Sequence, residues 1–236
     1  MTDRRVPSRI ASLAAIGAMS VRRLFRARGL WVGTLIAAVP PAFAFAIGQS
    51  SRRDDGRTPV LFMFEVLIVG ILSAMFVASS IGEELEDRTA TYLWSRPVAR
   101  WTLPVGKILA LAPVTIALAL IGWLCVYTSA VGGLPPPASY FALVAEALAI
   151  STIGAAIALL VPKHAMALSI AYLVFFDVPL GVLPAKLQHL SVSYQTRAIA
   201  EIDWAATDQS AAVITIVAIT AVWAMVGALR LRRLEA

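Results

Sequence analysis

The stretch GEELEDRTATYLWSRPVARWTLPVGK, residues 82–107, is the most charged internal part of a chain that is otherwise mostly apolar. It contains four acidic and four basic side chains, and a long apolar run stands on each side of it. The segment is therefore a charged loop between two hydrophobic helices. Why so many charges are kept there depends on what surrounds the loop and on which side of a membrane it lies.

The composition indicates an integral membrane protein. Of the 236 residues, 59% are hydrophobic and only 14% are charged, and the mean hydropathy is +0.80. Soluble domains have about half apolar and about a quarter charged residues. The net charge of +6 then reflects arginines at a membrane face, and we expect no nucleic-acid partner. The single cysteine, Cys125, excludes a disulfide or a cysteine metal site within one chain.

Six stretches are long and apolar enough to cross a bilayer, which takes about 20 helical residues. We therefore predict an all-α integral membrane protein with a single transmembrane domain, residues 1–236, surrounded by the lipid bilayer. In this scheme Gly82 ends the second span. The six predicted spans are Leu30–Gly48, Val60–Ile81, Ile108–Val131, Tyr140–Val161, Ala165–Leu183 and Ala211–Leu229.

Prolines predict breaks in two of these spans. Pro40-Pro41 should kink the first span, and the stretch 177–184, with Pro179 and Gly181, should break the outer end of the fifth. The following segment, 184–210, mixes apolar and polar residues. We expect it to form short extracytoplasmic helices that re-enter the outer leaflet.

The distribution of lysine and arginine sets the orientation of the spans. If the N-terminus is cytoplasmic, the inner segments hold 15 of the 20 lysines and arginines, and the outer segments hold 5. We therefore expect both termini and the loop 82–107 to face the cytoplasm, with the protein in a bacterial inner membrane.

Residues 1–29 contain no span, because the apolar run IASLAAIGAMSV (10–21) is too short to cross a bilayer. Arginines on both sides and the lack of a clear cleavage site argue against a signal peptide. Apolar side chains on one helical face, with arginines elsewhere, predict an amphipathic helix in the inner interface. A disordered basic tail is the alternative.

The acids of the charged loop directly follow Gly82. This order predicts a new helix with an acidic first turn, which the helix dipole favours, and Pro97 should end that helix. We interpret the loop as one or two short amphipathic helices beneath the membrane that dock on another protein. The alternative is a solvated loop that only fixes topology, but acids contribute little to orientation.

The loop resembles the signature of ABC-2 type transporter permeases: E-x-G-T, seven residues, P-[VI]-x-R, five residues, then G-K. Arg88 stands where that family usually has glycine, and GEELE is one residue longer than the common G-E-R-E. Six spans, a basic N-terminus and a polar stretch before the last span fit the same family. The matching residues, with each spacing kept, are Glu86, Thr89, Pro97-Val98-Ala99-Arg100 and Gly106-Lys107.

The resemblance implies the transmembrane subunit of a type V ABC exporter. Such subunits work in pairs, here as a homodimer in preference to a heterodimer, and each docks on a separate ATP-binding cassette subunit. No cofactor, metal or catalytic residue is then expected in this chain, since the partner subunit would bind ATP and magnesium. The residues expected to couple to that subunit are Glu83, Glu84, Glu86, Arg88, Thr89, Arg96, Pro97, Arg100 and Lys107.

The chain has no recognisable nucleotide-binding loop of its own. A Walker A loop requires G-x-x-x-x-G-K-[ST], with backbone amides around the phosphates. The only Gly-Lys pair is Gly106-Lys107, with Trp101 in place of the first glycine and Ile108 in place of the serine or threonine. We therefore predict that the chain is not an enzyme.

Three acids, Glu65, Glu146 and Asp177, lie in the outer halves of predicted spans. Charge near the bilayer centre costs at least ~2.5–3.5 kcal/mol, so such groups usually face protein or water. They suggest an outward-facing vestibule for a cationic or polar substrate. A proton relay and a structural role as protonated or hydrogen-bonded groups are the alternatives. His164 and His189, in opposite loops, cannot form one metal or catalytic site.

These observations favour an exporter permease over three other classes of membrane protein. A proton-coupled secondary transporter would need no ATPase partner and would normally show inverted repeats. An intramembrane hydrolase would need a catalytic pair. A non-transporting scaffold would bind the ATPase without moving a substrate.

Overall fold

The computed structural model describes residues 9–26, 28–48, 57–87, 99–183, 186–202 and 208–233. Within these ranges every regular element is a helix, and six helical segments are long and apolar enough to cross a membrane. The prediction of an all-α fold with six spans is therefore confirmed. The spans, numbered 1 to 6, are Gly29–Ile47, Thr58–Glu86, Thr102–Ala130, Pro137–Leu160, Pro162–Val182 and Gln209–Arg233.

Three of the spans consist of more than one helical element, and among the described residues two α-helices lie outside the spans. Span 1 comprises Gly29–Ala37 and Val39–Gly48, and span 2 comprises Thr58–Ser73, a π-helical turn Ala74–Ala78, and Ser79–Glu86. Span 5 comprises a 3₁₀ turn Pro162–His164, Ala165–Tyr172, a π-helical turn Leu173–Asp177, and Val178–Val182. The N-terminal helix is Arg9–Arg26; the outer helix, Val192–Ala200, follows a 3₁₀ turn Lys186–Leu190.

Both helices outside the spans occur where the sequence leads us to expect them. Ile16 and Ser20, which are buried, and Leu24, which is half-buried, lie on one face of the N-terminal helix. Residues 1–8 of the expected amphipathic segment lie outside the described ranges. The outer helix is buried at every position except Arg197, which is half-buried.

Spans 2 and 4 form the centre of the bundle. In the most apolar 18-residue stretch of each span, 67% and 72% of the residues of spans 2 and 4 are buried, against 17–33% in the other four spans. Span 4 packs against spans 2, 3 and 6 and against the outer helix, whereas the N-terminal helix packs mainly on span 3. Lipid is as apolar as the helices, so these contacts depend on close van der Waals packing and on polar interactions.

Small residues allow span 4 to occupy this central position. Ala147, Ser151 and Ala155, at four-residue steps, are all buried. At Gly154 an added Cβ atom would lie 3.2 Å from the Cβ of Ala78, in the π-helical turn of span 2. A larger side chain at this glycine would force the two central spans apart.

The predicted breaks at prolines concern spans 1 and 5. Span 1 changes from one helical element to the next at Ala38, two residues before Pro40, and the expected kink there stays a prediction. Span 5 ends at Val182, within the predicted break, but only after its helix has passed through Pro179. The π-helical turn Leu173–Asp177 precedes that proline, and such a turn accommodates the change in hydrogen bonding that proline requires.

Gly82 does not end span 2, so that prediction is wrong: the helix continues to Glu86. Gly82 instead lets span 2 pass close to the turn between spans 4 and 5. An added Cβ atom there would lie 2.7 Å from the carbonyl oxygen of Pro162 and 2.7 Å from the Cβ of Ala165. The acids therefore occupy the last turns of span 2. The middle of the loop, residues 88–98, where the rest of the predicted short helices would lie, is outside the described ranges.

Candidate functional site

The two ends of the charged loop meet at a buried ion pair. Glu84 lies near the end of span 2, and its Oε1 atom is 2.7 Å from Nζ of Lys107, near the start of span 3. The side chains are 7% and 0% exposed, respectively. Charges buried to this extent persist only when they are paired. The pair therefore ties the end of span 2 to the beginning of span 3.

Ser80 completes the surroundings of the lysine. Lys107 donates to the Ser80 hydroxyl oxygen at 2.8 Å and also to the Ser80 carbonyl. Ser80 and Glu84 are four residues apart on one helical face. Three acceptors thus meet the three N–H donors of the ammonium group. Nothing in the local sequence pattern identifies Ser80 as part of this site.

A second ion pair joins the N-terminal helix to span 2. The carboxylates of Glu83, Glu84 and Glu86 lie in the last turns of span 2, where the negative end of the helix dipole disfavours them. Arg23 compensates one of them, with its guanidinium 2.6 Å from Oε2 of Glu83. Both side chains are about half exposed, so the pair stabilises the fold by only ~0–1 kcal/mol. It nevertheless brings the N-terminal helix to the loop.

The Gly-Lys pair of the sequence motif has a structural explanation. Gly106 lies against the N-terminal helix, and an added Cβ atom would be 3.3 Å from Cγ2 of Ile16. On the other side of this contact, a Cβ atom at Gly17 would be 3.3 Å from that of Ala110. Glycine thus allows the N-terminal helix to approach span 3, while Lys107 reaches back to span 2.

The other residues predicted to couple to an ATPase subunit are placed differently. Glu86 is exposed at the end of span 2, and Arg100 is half-buried just before span 3. Of the predicted set, Glu84 pairs with Lys107, and Glu83 pairs with Arg23. The sequence places Arg23 on a basic amphipathic helix but does not indicate Glu83 as its partner. Four members, Arg88, Thr89, Arg96 and Pro97, lie outside the described ranges. Coupling through this set stays a prediction.

Two of the intramembrane acids lie in the core. Glu65 and Glu146 are fully buried, and their carboxyl oxygens have no hydrogen-bond partner among the described residues. Glu65 packs against span 3, where a Cβ atom at Gly122 would lie 2.8 Å from its Oε1. A charge at either position would be uncompensated. Neither acid faces open space in this conformation, and their role in a vestibule stays a prediction.

Asp177 has a different environment, because its carboxylate caps the outer helix. Its Oδ1 accepts the backbone N–H of Val192 at 2.7 Å, and its Oδ2 accepts that of Ser193 at 3.0 Å. Arg197 of the same helix donates to the Gly181 carbonyl at 2.6 Å. The outer helix is thus fastened to the outer end of span 5 at two points.

Among the described residues, no group of three or more histidine, cysteine or acidic side chains is placed to hold a metal ion. His164 is exposed in the 3₁₀ turn at the start of span 5. His189 stacks edge-on against Tyr194, with ring centroids 5.4 Å apart. The two histidines lie in separate turns, as the sequence predicts.

The chain was compared with known protein families and with curated proteins. The sequence model of the ABC-2 family transporter proteins matches residues 22–182. The match begins inside the N-terminal helix, includes the charged loop with its two ion pairs, and ends at the last residue of span 5. No curated protein matches the chain.

Proposed function

Since this chain belongs to the ABC-2 family of transporter proteins, we propose that it is the membrane subunit of an ABC exporter driven by a separate ATP-binding subunit. The observation that carries the proposal is the buried contact of Lys107 with Glu84 at the base of the charged loop. It supports a loop that moves together with spans 2 and 3.

The strength of this contact determines how a force on the loop reaches the spans. If the ends of the loop were not held to each other, a force applied to the loop would deform the loop and would not move the spans. Here a buried ion pair and two hydrogen bonds to Ser80 hold both ends together, and breaking the pair costs about 3–5 kcal/mol because the remaining charge stays buried. A force applied to the loop by an ATPase subunit is then carried into both spans.

The docking surface would be the rest of the loop. Glu86 and Arg100 stand at its two ends and provide a carboxylate and a guanidinium for a polar interface. Arg88, Thr89, Arg96 and Pro97 would complete the surface between them. ATP and magnesium would be bound by the ATPase subunit, because this chain has no Walker A sequence.

A second copy of the chain would complete the transport pathway. Spans 1, 5 and 6 are only 17–28% buried in one copy. A groove of about 670 Å³ also opens beside the inner halves of spans 2 and 5, with Glu83, Glu86 and Lys163 at its polar end and Phe175 along its apolar wall. A homodimer would cover part of this apolar surface and enclose the groove.

The experiment that tests the proposal is purification of the tagged chain from its host in mild detergent. We expect an ATP-binding subunit to copurify at a ratio of one to one, with ATP hydrolysis in the purified complex. A preparation that contains this chain alone and hydrolyses no ATP would overturn the proposal. A complex that hydrolyses ATP but shows no ATP-dependent rearrangement of this chain would indicate a scaffold.

A second candidate function is proton-coupled transport, favoured by the buried, unpartnered carboxyls of Glu65 and Glu146. It requires that a pH gradient alone drive substrate movement in vesicles containing only this chain. Substitution of both residues by glutamine would abolish that movement. The exporter proposal instead expects the same double variant to keep its ATP-driven activity.

A further inference from the structure

The contacts of the N-terminal helix define how it lies relative to the spans. Ile16 contacts Gly106 near the start of span 3, and Arg23 binds Glu83 near the end of span 2. Both contact points belong to the two ends of the same loop and therefore lie at a similar depth. They are seven residues apart on the N-terminal helix, or about 10 Å along its axis. The helix therefore bridges the two ends of the charged loop.

Viewed down its axis, the helix has three different flanks. Ile16 and Ser20 are buried against the bundle. A second flank is apolar and uncovered, with Ile10 78% and Phe25 62% exposed. The third flank is basic and contains Arg22 and Arg26, both exposed. At 100° per residue these basic side chains lie next to Phe25 and away from the bundle.

A shallow recess of about 800 Å³ occupies the basic flank. Its floor is formed by small side chains, Ala15 and Ala18, with Met19 at one side. Its polar walls are Arg22, Arg23 and Arg26. The guanidinium groups of Arg22 and Arg26, beside this small apolar floor, are suited to a phosphate, which arginine binds through paired hydrogen bonds.

We propose that this recess binds the headgroup phosphate of an anionic phospholipid, with the acyl chains of that lipid along Phe25. The basic flank and the apolar flank next to it favour this partner, because a ligand that contacts both must carry a negative charge beside an apolar chain. A water-soluble protein would meet the arginines but leave the apolar flank uncovered. The inference concerns a lipid partner and does not depend on the proposed transport function.

The recess lies next to the charged loop. Arg23 belongs both to the recess and to the ion pair with Glu83. A lipid phosphate held by Arg22 and Arg26 would lie beside this pair, at the contact between the N-terminal helix and span 2.

The test uses the full chain in a nonionic detergent. The purified protein is titrated with dioctanoyl phosphatidylglycerol, dioctanoyl phosphatidylcholine or glycerol phosphate, and its melting temperature is followed. We expect only the phosphatidylglycerol to raise the melting temperature in a saturable way. The double variant R22Q/R26Q should require about 30-fold more of this lipid. Two basic side chains at an anionic surface together contribute about 2 kcal/mol of binding free energy, which corresponds to that change in Kd.

Two further variants separate the recess from general charge. R232Q/R233Q removes two exposed arginines from the end of span 6 and should titrate like the unmodified chain, whereas Phe25→Asn should bind the lipid more weakly. An equal response to both lipids, an equal response to glycerol phosphate, or an unchanged titration of R22Q/R26Q would overturn the proposal. If R22Q/R26Q kept the lipid response but lost an ATPase partner, the flank would be a protein-docking surface instead.

Discussion

Nζ of Lys107 and Oε1 of Glu84 lie 2.7 Å apart in the protein interior, at the base of the charged loop that connects spans 2 and 3. Span 2 ends with carboxylates at the negative end of its own dipole, an arrangement that is unfavourable in an isolated helix. The fold compensates for it with a lysine from the next span and with Arg23 from the N-terminal helix. Three separate parts of the chain are thereby joined at one place.

The first prediction concerns this pair. Either Lys107→Glu or Glu84→Lys should destabilise the protein by about 3–5 kcal/mol, because each leaves two like charges buried together. The double exchange E84K/K107E should recover much of this loss. Melting curves of the three variants in detergent measure the effect. As a matched control, Lys186→Glu changes an exposed lysine and should leave the curve within about 0.5 kcal/mol of the original.

The second prediction separates docking from folding. Charge reversal at Glu86 or Arg100 should weaken binding of the ATPase subunit and uncouple ATP hydrolysis, since both side chains lie at the ends of the loop. For the Glu86 variant, whose side chain is exposed, the melting curve should stay unchanged. The measurement is copurification and ATP hydrolysis for each variant, with Glu201→Lys, near the outer helix, as the control. Normal ATPase binding and normal hydrolysis by the variants would remove this loop from the interface.

The third prediction concerns the outer helix. Asp177→Ala should free the buried N–H groups of Val192 and Ser193, at a cost of at least ~0.5–2 kcal/mol, the usual effect of losing a helix cap. Asp177→Asn keeps one acceptor and should lose less. Hydrogen exchange at these two amides reports the change directly. Equal exchange rates in all three proteins would show that the cap does not hold the helix.

The fourth prediction tests the close contact at Gly82. Gly82→Ala places a methyl group 2.7 Å from the backbone oxygen of Pro162, and such overpacking destabilises a protein by about 1–3 kcal/mol. Gly29→Ala is the control, since the nearest atom to its added Cβ, on Leu24, is at an ordinary 3.7 Å. A melting curve that is the same for both variants would contradict the packing described for span 2.

The sequence predicts the six spans well because a bilayer imposes a minimum apolar length on any helix that crosses it. It misplaces the end of span 2, because glycine after an apolar run signals a helix end and also permits close packing, as Gly82 does. The sequence does not predict the two ion pairs. Arg23 and Glu83 are 60 positions apart, and no local periodicity indicates which charged residues of a loop will meet a distant helix.

For the predicted site residues too, the sequence identifies the residues but not the contacts they make. The motif contains Lys107 and the predicted coupling set adds Glu84, but a charge pattern does not reveal that these two side chains face inward and bind each other. Asp177 attracts notice as an intramembrane acid, yet its capping of Val192 depends on how the chain returns after span 5. Such contacts follow from tertiary packing.

The central claim is that ATP bound by a partner subunit rearranges two copies of this chain. It is tested most directly by a distance measured between copies. In a Cys125→Ala background, Leu134→Cys places one spin label per copy in the exposed turn after span 3, and pulsed electron paramagnetic resonance gives the separation. We predict a defined distance in the complex that shifts when ATP is added, and a shift that Lys107→Glu abolishes. No dipolar coupling between copies, or a distance that ATP leaves unchanged, would contradict the account.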